Sequence, residues 1–464
     1  MSYLCLMSML LAGVGFSARA QQKQAEGSAP LDQHTANPGN EIPADTQAAD
    51  EQDPTGVLMR LRDQVLAHGR SIPNHTCVET IQRDRYEPAA GRSVKDCDTL
   101  LARRKQQDFP ALLRLEQRDR LRLDVSLAYQ GEIYSWAGAR RFEEGEITDL
   151  IPAGAIGTGP FASLLLGVFD ARNPGFAFEG DTTREGRGLM EYSFTIPQDQ
   201  SRYRIRAGAQ WVTTGYTGTL LVDPRTAALV RMTVRTEEPP PETNLCEIDT
   251  VMEYGLVALG GGDYLLPKTA RERYINRDGE EAENSITFGS CREFRSESTL
   301  AFGERPPAEV QASGGAAATL ELPARVPVTV ELATPILADQ AAAGDRIEGR
   351  LVHAIRDARQ QILAPEGALV AGRLMRAETR GSGLQDLTIA LRWETLEVNG
   401  REIPLTLVPN RQMVHPDKGP AGLKQRSGVE IVLPLPGESR YGVYHFPGGV
   451  VKSGFRTEWL TAAH

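Results

Sequence analysis

Arg120-Leu121-Arg122-Leu123-Asp124-Val125-Ser126-Leu127-Ala128-Tyr129 is the stretch on which the fold turns. Leu121, Leu123, Val125, Leu127 and Tyr129 alternate with Arg120, Arg122, Asp124, Ser126 and Ala128. A period of two places the first set on one face of a strand and the second on the other. Gln130-Gly131 then reads as a tight turn, with Glu132 to Trp136 as the returning partner.

The same rhythm continues toward the carboxyl end. Met190, Tyr192, Phe194 and Ile196 share a face. Trp211 to Val222 and Leu229 to Val234 are predicted to form a hairpin through Asp223-Pro224-Arg225-Thr226, where proline presets the turn dihedral. Cys246, Ile248, Thr250, Met252 and Tyr254 alternate, and Lys268 to Asn276 meets Ser285 to Phe294 around Asp278-Gly279. One apolar and one polar face over many strands predicts an antiparallel sheet covered on one side only. Two segments depart from the period. Val57, Leu58, Leu61, Val65 and Leu66, spaced by three and four, predict a helix from Pro54-Thr55 to a cap at Gly69. Phe161 to Phe169 is compact and apolar and follows the Gly- and Pro-rich loop Pro152 to Pro160, which predicts a short buried helix. These two helices are the natural cover for the sheet.

Beyond residue 303 the composition shifts. Residues 304–319 are a Pro, Gly and Ala linker. In 320–464, Val326 to Leu332, Arg346 to Ala354, Ala368 to Ala377, Leu387 to Leu396 and Glu402 to Val408 alternate, and Gly442 to Trp459 adds short strands. Asn399-Gly400 is a strong hairpin signal, and Pro409 to Ser427 is a polar loop. The predicted class is therefore mainly β (α+β). An antiparallel half-barrel sheet with a few covering helices (54–303) is followed by a small all-β barrel or sandwich (320–464), closed to hide its edges.

The amino end predicts export. The apolar run Leu4 to Phe16 and the small-x-small site Ala18-Arg19-Ala20 mark residues 1–20 as a signal peptide. The run is shorter than the roughly 20 apolar residues a spanning helix needs, and the mature chain has no other candidate transmembrane helix. No Lys or Arg precedes the run, as when the start lies further upstream. Val14 stands where a lipidated cysteine would follow Leu11-Ala12-Gly13, so no lipid anchor is expected. Residues 21–53 are rich in Gln, Ala, Pro, Asp and Glu and are predicted to be a disordered tether. Four cysteines remain after the signal, Cys77, Cys97, Cys246 and Cys291, and an even number in an oxidising compartment favours two disulfides. Pairing neighbours in sequence, Cys77–Cys97 and Cys246–Cys291, is the preferred of three connectivities, worth roughly 3 and 4 kcal/mol in the chain-entropy model. A zinc site fails on spacing. The location is then periplasm or extracellular space.

Residues 54–303 resemble the fold shared by periplasmic lipoprotein-sorting carriers, outer-membrane lipoprotein receptors and periplasmic sigma-factor regulators. The resemblance rests on an N-terminal helix, a run of antiparallel strands, an inserted apolar helix and the late hairpin Leu221-Val222-Asp223-Pro224-Arg225-Thr226. It implies an open half-barrel whose concave apolar side binds acyl chains or a peptide. Pro73-Asn74-His75-Thr76-Cys77-Val78-Glu79-Thr80 resembles the start of uncharacterised exported proteins of soil acidobacteria. Ala343-Gly344-Asp345-Arg346-Ile347-Glu348-Gly349 and Leu363-Ala364-Pro365-Glu366-Gly367-Ala368-Leu369-Val370-Ala371-Gly372 resemble the β-barrel domain of conjugation and type IV secretion core proteins, which implies an assembly module.

Catalytic patterns are scarce. The seven histidines are scattered, and no zincin, nucleophile-elbow, phosphate-loop or dinucleotide motif is present. His75 near Cys77 suggests a Cys–His pair, but a disulfide cysteine beside a surface histidine is the better account, since a nucleophile needs a free thiolate. Asn276-Arg277-Asp278-Gly279-Glu280-Glu281 and Glu143-Glu144-Gly145-Glu146 could hold calcium, but the first does not fit the helix–loop–helix calcium loop, and solvated hairpin turns are the better account. A net charge of -10 disfavours nucleic acid. No metal or cofactor is implied. The remaining candidate is a ligand groove lined by Leu121, Leu123, Val125, Leu127, Met190, Tyr192, Phe194 and Ile196. The reading is a non-enzymatic envelope protein whose partner is a lipid or lipoprotein, or an envelope protein. The alternatives are a secreted hydrolase with a dispersed loop site and a structural adaptor with no ligand.

Overall fold

The structure, a computed structural model, describes residues 53–462 apart from 90–95, 106–112, 129–130, 140–141, 143–146, 173, 208–209, 237, 294–321, 382, 384, 411–429, 432–433 and 436. The signal peptide, the tether before Asp53, the linker 304–319, the acidic run Glu143-Glu144-Gly145-Glu146 and most of the loop after Pro409 lie outside the described residues.

The first half of the chain forms β1 (His75–Pro88), β2 (Leu113–Ala128), β3 (Gly131–Trp136), β4 (Ala177–Arg184), β5 (Arg187–Ile196), β6 (Arg204–Ala207), β7 (Gln210–Thr213), β8 (Tyr216–Val222), β9 (Leu229–Thr236), β10 (Leu245–Leu259), β11 (Gly262–Asn276) and β12 (Glu281–Glu293). Its helices are α1 (Pro54–Ser71), α2 (Cys97–Arg104), α3 (Ile147–Leu150) and α4 (Ser163–Asp170). Antiparallel pairs run β3·β2·β1·β12·β11·β10·β9·β8·β5·β4. Register carries one face across the sheet: Ile81 stands opposite Leu121 and Ile286, and Met252 opposite Ala270 and Met232. The chain is thus mainly antiparallel β with few helices, as the alternation predicts.

Both helical predictions fall on helices, with adjusted ends. α1 passes Gly69 and stops at Ser71; Pro73 disfavours helical backbone at Ile72 and so supplies the stop. α4 begins at Ser163, with Phe161 buried in the turn before it. The stretch Trp211 to Val222 is not one strand. Trp211 belongs to β7, which pairs with β6 in a separate hairpin, and only Tyr216–Val222 pairs with β9.

The predicted disulfide connectivity is overturned. Cys77 bonds Cys291 and Cys97 bonds Cys246. The cause is long-range register: β1 and β12 are neighbours, with Thr76 opposite Arg292, so Cys77 meets Cys291. Cys97 opens α2, which packs against Cys246 and Ile275. Linking residues 214 and 149 apart closes larger loops than sequence neighbours would, about 5 kcal/mol each in the chain-entropy model.

In the second half, Pro327–Leu332 pairs with Arg346–Leu351, then Leu369–Arg380, then Asp386–Val398. Asp386–Val398 pairs with Arg401–Pro404, whose continuation Leu407–Pro409 pairs with Arg456–Thr461, which returns to Pro327–Leu332. The ring therefore closes through 401–409. Asn399 and Gly400 both have positive φ, 51° and 73°, as a tight hairpin between two twisted strands demands. Trp393 and Trp459 fill a core separate from that of the first sheet.

The two sheets are joined. Glu378, Thr379 and Arg380 pair with Asp119, Arg118 and Gln117 of β2. Arg122 N–H donates to the Ala343 carbonyl (2.7 Å), and Ala343 N–H to that of Arg120 (2.8 Å). Gly344 lies so close that an added Cβ would stand 2.1 Å from the Arg122 carbonyl oxygen, so only glycine fits. The buried Arg373 guanidinium donates to the carbonyls of Ala137 (2.8 Å) and Gly344 (2.5 Å).

Candidate functional site

The apolar face of the first sheet, which the sequence reading made a candidate ligand groove, is mostly covered. Val57, Leu61 and Val65 of α1 and Leu164, Leu165, Val168 and Phe169 of α4 belong to the same apolar cluster as the strands. Of the eight groove candidates, Leu121, Leu123, Val125, Met190, Tyr192, Phe194 and Ile196 are all 7% exposed or less. They lie at opposite ends of the strand order, yet the curl of the sheet and the two helices bring them into one core. The Tyr192 hydroxyl donates to the Pro54 carbonyl (2.7 Å), tying the start of α1 to β5. Leu127 differs: it is half-buried and lines a cavity.

That cavity, about 60 Å³, lies where the roof leaves the sheet uncovered. Val65 and Ile72 approach it from α1 and its exit, Leu165 and Leu166 from α4, and Tyr254, Leu265 and Leu266 from β10 and β11. His75 also lines it. This histidine is 4% exposed, contrary to the surface placement read from sequence, because β1 turns residues 75, 77, 79 and 81 inward together. Its ring packs against Phe161 with centroids 5.6 Å apart. Burial lowers its pKa, while the contact of Nδ1 with the Pro73 carbonyl (3.0 Å) acts the other way. Cys77 is bonded to Cys291 and has no thiolate to offer.

A polar layer that sequence reading missed lies beneath the roof. Glu79, Glu132 and Glu272 interact through their charges. Glu132 accepts from the backbone N–H groups of Gly159 (2.6 Å), Ala162 (2.8 Å) and Ser163 (3.1 Å), and from the Tyr134 hydroxyl (2.6 Å). It thereby caps α4 from a neighbouring strand, since Ala162 has no side chain to do so. Gly159 (φ +120°) brings the loop in against Leu164; an added Cβ would lie 2.7 Å from its Cγ. Arg83, bidentate to Asp119 (2.8 and 2.7 Å), donates to the Ala153 carbonyl (2.8 Å), and Asn284 donates to that of Ala155 (3.3 Å). The roof is thus held by polar clips around an apolar centre.

Burial pushes Glu79 well above the usual carboxylate range, and the neighbouring charges of Glu132 and Glu272 add to the shift. Glu272 is pushed up to about 7 by burial, against the pull of hydrogen bonds from Tyr274 (2.9 Å) and Asn284 (3.2 Å). None of the three carboxylates lines the cavity. Among the described residues no group of His, Cys, Asp and Glu is placed to hold a metal ion, and no helix is long and apolar enough to cross a membrane. The signal for Glu79 was present in the sequence: it stands between Cys77 and Ile81 in the inward register, an acid where an apolar residue belongs.

No protein-family model matches the chain, and no curated protein does. Solved structures do match. One is a DUF1329 family protein from Desulfovibrio piger, at 7% identity and a TM-score of 0.25, covering 52% of this chain and 94% of that one. Another is a putative outer membrane lipoprotein-sorting protein domain from Vibrio parahaemolyticus, at 9% identity and a TM-score of 0.24, covering 50% of this chain and 92% of that one.

Proposed function

We propose that this chain is a non-enzymatic protein of the bacterial envelope or cell exterior that takes up an apolar chain, such as an acyl tail, between its sheet and the roof made by α1 and α4. The observation that carries the reading is the cavity at the roof's edge, walled by Leu127, Leu165, Leu166, Leu265 and Leu266. At about 60 Å³ it holds only the first methylenes of a chain, so a longer tail enters as α4 lifts. α4 suits that role, being a single short apolar helix whose amino end is held by one carboxylate. The two disulfides support an oxidising compartment.

The test is binding of the environment-sensitive probe N-phenyl-1-naphthylamine to the mature protein, followed by displacement with dodecan-1-ol. Saturable fluorescence, abolished by Leu127→Trp (whose indole would occupy the cavity), is the expected result. Absence of saturable binding to the folded protein overturns the reading. The adaptor reading then takes its place, favoured by the burial of seven of the eight groove candidates beneath the protein's own helices.

A further inference from the structure

His75 is the one cavity-lining residue with a side-chain polar atom that is buried and unpartnered among the described residues. Its two nitrogens are not equivalent. Nδ1 lies 3.0 Å from the Pro73 carbonyl oxygen, which can only accept, so Nδ1 carries the hydrogen. Nε2, on the other side of the ring, is then a bare lone pair without a partner. A buried acceptor left unmade is costly, and the group that satisfies it must donate.

Resting on the reading above, that the cavity takes an apolar chain, we propose that His75 Nε2 is the polar recognition point of this site and that the ligand is an aliphatic chain carrying a hydroxyl, whose O–H donates to Nε2. A carboxylate-terminated chain is the poorer fit on two counts. It has no proton to donate, and it would bring a second negative charge toward Glu132, whose charge adds to burial in raising the pKa of Tyr254, itself a cavity wall. An ether or methyl ester of the same length fills the apolar walls equally but offers Nε2 nothing.

The experiment compares dodecan-1-ol, methyl dodecyl ether and dodecanoate at pH 7.5 as competitors for the naphthylamine probe on the full mature chain, in wild type and His75→Phe. Phenylalanine retains a ring against Phe161 while removing the lone pair. The expected result is that wild type binds the alcohol roughly five- to tenfold tighter than the ether, the worth of one hydrogen bond, and binds dodecanoate least. In His75→Phe the alcohol-to-ether ratio falls to about one, with the ether unweakened. Equal binding of alcohol and ether by wild type overturns the role of His75 and leaves chain binding standing; this comparison needs no variant. A ratio that survives in folded His75→Phe also overturns it. Failure of all three compounds to displace the probe, or absence of probe binding, overturns this inference and the proposed function together.

Discussion

Buried in the first sheet, Glu272 makes stability depend on pH. Its carboxyl holds a proton up to about pH 7, because burial penalises the charge more than Tyr274 and Asn284 reward it. In the unfolded chain it ionises at about 4.5. Between those values the folded state binds more protons, so stability falls as pH rises from about 4.5 to about 7 and levels off above. The loss is of order 3 kcal/mol for this group, and Glu79 acts in the same direction. Glu272→Gln keeps an acceptor for Tyr274 and removes the charge. Urea midpoints at pH 4.5, 6 and 8 are expected to decline less in this variant, leaving it about 1–3 kcal/mol more stable than wild type at pH 8. Parallel pH profiles for the two proteins would refute the assignment.

At the level of elements, α4 depends on a partner that is remote in sequence. Removing the carboxylate in Glu132→Ala strands the N–H groups of Gly159, Ala162 and Ser163 beneath apolar surface, at roughly 1–3 kcal/mol for each that water does not reach. Amide hydrogen exchange is expected to speed up about 100-fold across α4, while the amides of β10 and β11 stay protected. Uniform acceleration through the sheet would mean that Glu132 supports the global fold rather than the roof. This dependence also explains what could and could not be read from sequence. The strands and the Asp278-Gly279 turn are written in local periods, and β11 and β12 meet there as the alternation predicts. The apolar run after Pro160 announces a helix in the same way. The Cys77–Cys291 bond and the Glu132 cap are set by which strands become neighbours, and no local pattern encodes that. The groove residues were legible as one inward face. How far α1 and α4 close over them was not, since it depends on packing distances rather than on spacing.

At the scale of the molecule, the two cores communicate through a small set of polar contacts beside β2. The segment Ala343-Gly344-Asp345 meets β2: Arg122 pairs with Asp345, and Ala343 forms an isolated bridge with Leu121. Arg373 sits at the centre of this junction, nearly devoid of solvent contact. Arg373→Met retains the bulk and leaves the Ala137 and Gly344 carbonyls without their donor, at about 1–3 kcal/mol. Calorimetry is expected to show one transition in wild type split into two in the variant, with the carboxyl-terminal ring and the roofed sheet melting separately. A single transition merely shifted downward would place the coupling elsewhere.

The nested arrangement of the cysteines, with Cys97–Cys246 inside the Cys77–Cys291 loop, bears on how the molecule is made. Were the chain exported amino end first, Cys77 and Cys97 would emerge together, before their mates 214 and 149 residues downstream. A Cys77–Cys97 bond made at that stage would be non-native, and its removal would require thiol–disulfide exchange. On that route, maturation would call for sulfur bonds to be reshuffled as well as formed.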